Sequence, residues 1–297
     1  LQAFDGSEIT LTLDTSMLWE QCCLVEVCLV WGGRSFALAQ VVLEHKSASV
    51  AFKDYKHVLE AAKALVPSGC GVTLLADRGF AHRELLVWLE GCHWQWAVRV
   101  KCDMQVRLAT GATRSVQYLF PPQQQAHLLH NVTVLEGIEA HLVTGHLSQA
   151  SEPWAVLSSL PPSLQTFALY GKRFGGIEPH FKDYKSAAFN VVASGLRDAQ
   201  ALSCLFMLLD MAYLIALIVG MILAWSGQRS QLDWHGDRGL SFLQLGLRTI
   251  GRCCYRRVLL PTLIALTPQS PPKACASRRK RAALDCQIEF LRVLVFS

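Results

Sequence analysis

The 297-residue sequence predicts an α/β protein, a mixed β-sheet flanked by helices. Three observations carry that expectation. Residues 8 to 14, EITLTLD, alternate strictly between apolar and polar side chains. Two more apolar runs follow, after which helix-period and strand-period segments take turns as far as residue 100. The apolar share is 52%, ample for a sizeable core, and it excludes disorder as the dominant state.

In the first strand Ile9, Leu11 and Leu13 face one way, and Thr10, Thr12 and Asp14 the other. The runs Leu24 to Val30 and Phe36 to Leu43 are separated by WGGRS, whose paired glycines suit a hairpin turn. Three antiparallel strands result. From Ser49 to Val66 the spacing of Val50, Phe52, Tyr55, Val58, Leu59, Ala62 and Leu65 is helical, and Pro67-Ser68-Gly69 ends it. GVTLLAD is a strand that closes on Asp77, His82 to Leu89 a second helix, and WQWAVRV a fifth strand. A helical crossover sets the strand after it parallel to a neighbour in the same sheet. The order strand, strand, strand, helix, strand, helix, strand is that of an RNase H-like domain. There the first and fourth strands lie side by side, which would bring Asp14 and Asp77 together.

Residues 102 to 160 read as an all-β insertion: Gln105 to Leu108, Ser115 to Phe120, Asn131 to Leu135, Ala140 to Val143 and Trp154 to Leu157, broken by Gly, Pro and Gln. After Pro161-Pro162 a helical stretch runs through SLQTFALYGKRFGGIEPHFKDYKSAAFN, then a long apolar helix near 199 to 225 and an amphipathic one at 238 to 252. TPQSPPKACASRRKR reads as disordered. The expected organisation is a first part of the RNase H-like core at 1–101, the β-rich insertion at 102–160, a second part of the core with the Glu178 helix at 161–252, and a basic, poorly ordered tail at 253–297.

The net charge of +5 is unevenly spread: residues 248 to 297 carry 10 Lys/Arg against 2 Asp/Glu, and the remainder is slightly acidic. Such a tail can meet phosphates or anionic lipid. Eleven cysteines without a Cys-x-x-Cys pair read as reduced thiols in a cytoplasm, not as a disulfide frame or zinc site. The pairs His127/His130 and His141/His146 lack a matching acid or thiol cluster. No signal segment opens the chain. It begins at Leu1, close to a strand, so an N-terminal part is expected to be missing. Leu202 to Trp225 has a single charge, Asp210, and is long enough to span a bilayer. A membrane-anchored, non-enzymatic protein with a basic tail is therefore one alternative. A buried central helix is the expectation preferred to it, because Asp210 sits well inside the run and no second span follows.

Two strand-borne carboxylates that approach closely repel one another unless a divalent cation lies between them, and hard oxygen ligands select Mg²⁺ or Mn²⁺. A third carboxylate on a helix completes a two-metal clamp for in-line phosphoryl transfer. Glu178 is the candidate. Lys185, seven positions on, returns to within about 20° of its helix face and offers a cation to a phosphate. Each acid also has an ordinary reading: Asp77 as a helix cap, Asp14 as a solvated strand residue, Glu178 as a surface acid. Arg78 has one too, a salt bridge to a neighbour.

Asp14 in LTLDTS, Asp77 in LLADRGF, and Tyr170, Arg173, Glu178 and Lys185 resemble the DDE transposases of bacterial insertion sequences, in the group with a Tyr-Arg-Glu-Lys signature and a β-rich insertion before the Glu. RGLSFLQLGLR also resembles that family, and the likeness covers roughly residues 8 to 252. It implies cut-and-paste transposition: Mg²⁺- or Mn²⁺-dependent hydrolysis at an element's end, with two ions held by Asp14, Asp77 and Glu178, then attack of the freed 3′-hydroxyl on target DNA. It implies that Tyr170, Arg173 and Lys185 handle DNA phosphates, with Arg78 beside them. The implied partners are double-stranded DNA, as transposon ends and target, and a second protomer on that DNA. The implied location is the bacterial cytoplasm and nucleoid, with no stable membrane partner. A nuclease of the same fold shares the site chemistry. Relatives carry a DNA-binding region before the first Asp, and thirteen residues cannot supply one. The family has three residues between Arg and Glu, whereas Phe174, Gly175, Gly176 and Ile177 make four here. Because Pro179 disturbs the helix, a kink or π-bulge at Gly175-Gly176 is expected to absorb the extra residue.

Overall fold

The computed structural model describes residues 7–31, 34–146, 152–233, 239–261 and 292–296. One sheet organises them. Strands β1 (Glu8–Leu18), β2 (Cys22–Trp31) and β3 (Arg34–Glu44) form an antiparallel meander. The paired glycines between β2 and β3 lie outside the described residues. Helix α1 (Phe52–Leu65) leads to β4 (Gly71–Ala76), and α2 (Arg83–Gly91) leads to β5 (Gln95–Arg99). β4 lies parallel to β1, with Leu13 opposite Ala76, and β5 lies parallel to β4. The first and fourth strands are thus neighbours, and Asp14 and Asp77 follow directly on a paired position.

The remaining strands extend the same open sheet. They are β6 (Gln105–Arg107), β7 (Thr113–Ser115), β8 (Gln125–Val134), β9 (Ile138–Gly145) and β10 (Trp154–Ser158). The order is β3-β2-β1-β4-β5-β10-β9-β8-β6-β7, so β10 returns to pair with β5. The mixed sheet with flanking helices is an RNase H-like α/β arrangement. Ser115 to Phe120 is not a continuous strand: beyond Ser115 the chain tightens into a 3₁₀ turn, Val116–Leu119, which buries Val116 and Leu119 at its three-residue spacing. Nor is the segment beyond residue 252 wholly irregular. Helix α5 (Phe242–Arg256) runs into it, and β11 (Arg292–Phe296) lies parallel to β8 at Gln125 to Leu129. β6 touches β8 only at Thr133, so that edge of β8 offers unpaired backbone groups to RVLVF.

Helix α3 (Gln165–Lys182) lies across the sheet. Its first half buries Phe167 and Tyr170 with Leu75, Ala97 and Val156 of β4, β5 and β10. Further along, Gly176 lets the helix close on β3, since a Cβ there would stand 2.3 Å from Ser35 Oγ. Helix α4 (Ala199–Trp225) is capped by Asp198, which accepts from the Ala201 N–H, and packs on β3 and α5. α4 and α5 meet at backbone distance: a Cβ on Gly220 would lie 1.8 Å from the Phe242 carbonyl oxygen, and one on Gly246 1.6 Å from that of Ala216. α4 is buried on that side only. It is long and apolar enough to cross a membrane, and Met207, Leu208, Met211 and Ile215 are each at least half exposed. The expectation of a buried central helix therefore holds for one face.

Candidate active site

Asp14 sits on the face of β1 opposite to Leu11 and Leu13, so the alternation that builds the core also turns its carboxylate toward α3. It accepts from its neighbour's backbone, Thr15 N–H, at 2.9 Å, and from Arg173 Nη2 at 2.6 Å. Asp77 follows β4 and caps nothing: its side chain makes no bond to the 3₁₀ turn Arg78–Phe80. Instead Asp77 Oδ2 lies 3.9 Å from the same Arg173 Nη2, and Tyr170 O–H donates to Asp77 Oδ1 at 3.4 Å. Two carboxylates from adjacent strands thus converge on one cation supplied by α3.

Burial decides the electrostatics. Asp14 is only 8% exposed, and burial pushes its carboxyl up to about 6, with the nearby charges of Asp77 and Glu178 adding to the rise. The Arg173 guanidinium and the Thr15 N–H oppose this without cancelling it. Burial also works against the Arg173 cation, but Asp14, Tyr170 and Asp77 more than compensate and hold it protonated. The Asp77 side chain keeps 35% of its exposure, so the pair opens to solvent on that strand's side. Two hard oxygen donors converging on a cation fit Mg²⁺ or Mn²⁺.

The other residues singled out from sequence lie around this pair. Glu178 is exposed, and five helical positions after Arg173 it points about 140° away. It lines a groove with Arg34, Phe174, Lys182, Ser241 and Gln244, yet it is near enough for its charge to act on both Asp14 and Arg173. No bulge forms at Gly175-Gly176. The α-helix runs through both glycines and past Pro179, and a π-helical turn follows at Asp183–Ala187, beyond Glu178. Because Pro179 has no N–H, it omits one bond, to the Gly175 carbonyl, and α3, packed on β3, continues through it. Lys185 sits in the π turn, half-buried, and burial lowers its pKa. Tyr170 and Arg173 are buried against the carboxylates, not offered to solvent. Arg78 makes the ordinary contact, 3.9 Å from Glu152, at the rim of an open cavity of about 810 Å³ shared with β6 and β8.

One constellation was missed from the sequence. Glu26 is the register partner of Asp14 across β1 and β2, and it is fully buried with Cys28 and His180. Glu26 Oε2 lies 3.2 Å from His180 Nε2 and accepts from Cys28 Sγ at 3.7 Å, so the three form a candidate metal-binding triad. The available signal was a lone acid in CCLVEVCLVW with a thiol two positions on, hence on the same strand face. Its third member lies far along the chain on helix α3, seven positions after Arg173 and therefore on the same side of that helix.

A family model described as a transposase DDE domain matches residues 19–215, more than half of the chain and beginning just after Asp14. Among curated proteins no sequence matches. A cryo-EM structure of a piggyBac transposase synaptic complex with hairpin DNA resembles the chain at 12% identity and a TM-score of 0.48, over 92% of this chain and 61% of that one. The chain thus spans about three-fifths of that protein's length.

Proposed function

Because the chain belongs to the transposase DDE domain family, we propose that it cuts and joins DNA strands in a divalent-metal-dependent, cut-and-paste transposition. The observation that carries this reading is the convergence of Asp14 and Asp77 on Arg173. Asp14 and Asp77 would hold Mg²⁺ or Mn²⁺, and Glu178, on the flank of the pair in this phase of α3, would complete the set as third ligand, for two ions in all, only when turned toward them. The bound ions supply charge stabilisation to the attacking and leaving oxygens of phosphoryl transfer. Arg173 balances the two carboxylates in their absence. Once released from Asp14, its guanidinium has a DNA phosphate as its next partner, beside Arg78 and Lys185. Tyr170 orients Asp77. The substrates are double-stranded transposon ends and target DNA, the working form on DNA is a dimer, and the setting is the bacterial cytoplasm and nucleoid. The decisive experiment is cleavage of end-containing DNA by the chain and its Asp77→Asn variant with Mg²⁺ or Mn²⁺. The variant is expected to lose cleavage and strand transfer together, and full retained activity would overturn the proposal. A product set with nicked ends and no joined strands would instead identify a nuclease.

A further inference from the structure

We propose that Glu26, Cys28 and His180 form a second metal site, selective for zinc-class ions and separate in chemistry from the Asp14/Asp77 pair. The donors are one carboxylate, one thiol and one imidazole, a set that favours Zn²⁺ over Mg²⁺. Their spacing suits that ion. With Zn–O and Zn–N bonds of about 2.0–2.1 Å and Zn–S of about 2.3 Å, tetrahedral edges are about 3.3 Å between oxygen and nitrogen and about 3.6 Å between oxygen and sulfur. The distances from Glu26 Oε2 are 3.2 Å to His180 Nε2 and 3.7 Å to Cys28 Sγ.

A second, independent observation is unsatisfied polarity. Glu26 Oε1 and His180 Nδ1 are buried without a hydrogen bond, His180 Nε2 has only the Glu26 carboxylate beside it, and all three residues are at 0% exposure. Such groups are costly in an apolar interior unless something coordinates them. Asp210 of α4, whose Oδ1 accepts from Tyr184 O–H, stands within electrostatic reach of Glu26 and Cys28. Binding replaces the Cys28 S–H bond by a metal–thiolate bond, and the proton leaves to solvent.

Such a site clasps β2 to α3. It fixes the helix in the phase that points His180 inward and Arg173 at Asp14.

The test is a Co²⁺ titration of the purified, reduced chain, followed by Zn²⁺ displacement and thermal unfolding with and without Zn²⁺. In excess Mg²⁺, which occupies the carboxylate pair, a thiolate-to-cobalt charge-transfer band in the near ultraviolet is expected to saturate at one equivalent of Co²⁺ and to be removed by Zn²⁺. Cys28→Ser is expected to lose the band and at least tenfold in affinity. His180→Gln, close in size, is expected to keep its melting temperature in chelator but lose the increase that Zn²⁺ gives the parent chain. Asp77→Asn is expected to keep the band and its displacement by Zn²⁺. Absence of the band, its survival in Cys28→Ser, or its loss in Asp77→Asn would each overturn the proposal. None of these readouts uses DNA, so they stand apart from the transposition reading.

Discussion

Asp14 joins two roles at one atom pair, because the burial that places its carboxylate beside Arg173 also raises its pKa to about 6 from 3.8. In that range the folded state binds more protons than the unfolded chain, so stability falls as pH rises from about 4 to about 6. The shift of about two units corresponds to roughly 3 kcal/mol. Urea unfolding across this window should show that loss in the parent and a much flatter profile in Asp14→Asn. Divalent ions need the ionised form, so Mn²⁺ affinity should rise up to tenfold per pH unit toward pH 6 and level off above it, as read by calorimetry. Asp14 and Asp77 were legible because strand alternation and strand order are written locally. Glu26 and His180 were not, since their meaning lies in a contact between residues far apart in the chain.

At the scale of elements, α3 carries the tension of the site. Its uninterrupted turns put Arg173 on the carboxylates and Glu178 on the flank, and the π turn comes only afterwards, at Asp183–Ala187. Deleting Gly175 restores three residues between Arg173 and Glu178 and turns Glu178 by about 100°, to within about 40° of the Arg173 face. The deletion variant is expected to bind Mn²⁺ several-fold more tightly than the parent, and the gain should vanish with Glu178→Gln. In the parent, Glu178→Gln should shift affinity less than twofold, because its carboxylate is outside the pair. A large loss there would show that the helix adopts the other phase in solution. The helical stretch was legible from sequence, but not its phase, which depends on Gly176 meeting β3. Glycines make a second prediction. Gly246→Ala, with a backbone oxygen 1.6 Å from the new Cβ, should cost about 2–3 kcal/mol in denaturant unfolding. Gly171→Ala, which has open space in α3, should instead gain about 0.5–1 kcal/mol.

For the molecule as a whole, charge and apolar surface lie on different elements. Arg248, Arg256 and Arg257 are exposed along and just beyond α5, whereas Met207, Leu208, Met211 and Ile215 form an apolar stripe on α4. If the arginines meet DNA phosphates, changing all three to Glu should weaken binding and flatten the dependence of log K on log salt by about 0.9 for each phosphate that is no longer neutralised. An unchanged slope in a filter-binding series would place the DNA elsewhere. The sheet's first five strands and the helices between them followed from sequence in order and type, with ends displaced by up to four residues. The continuation of the sheet through β10 did not, because β10 reaches β5 across the whole insertion and nothing local marks that return. The same long reach governs how the molecule comes into being. The bond between Arg173 and Asp14 joins residues 159 positions apart. Closing so large a loop is slow relative to hairpins and local helices, so the strands can assemble well before the acids receive their arginine. During that interval two buried-to-be carboxylates face each other uncompensated, and a divalent cation present in the refolding buffer should speed the last kinetic phase while leaving the earlier ones unchanged.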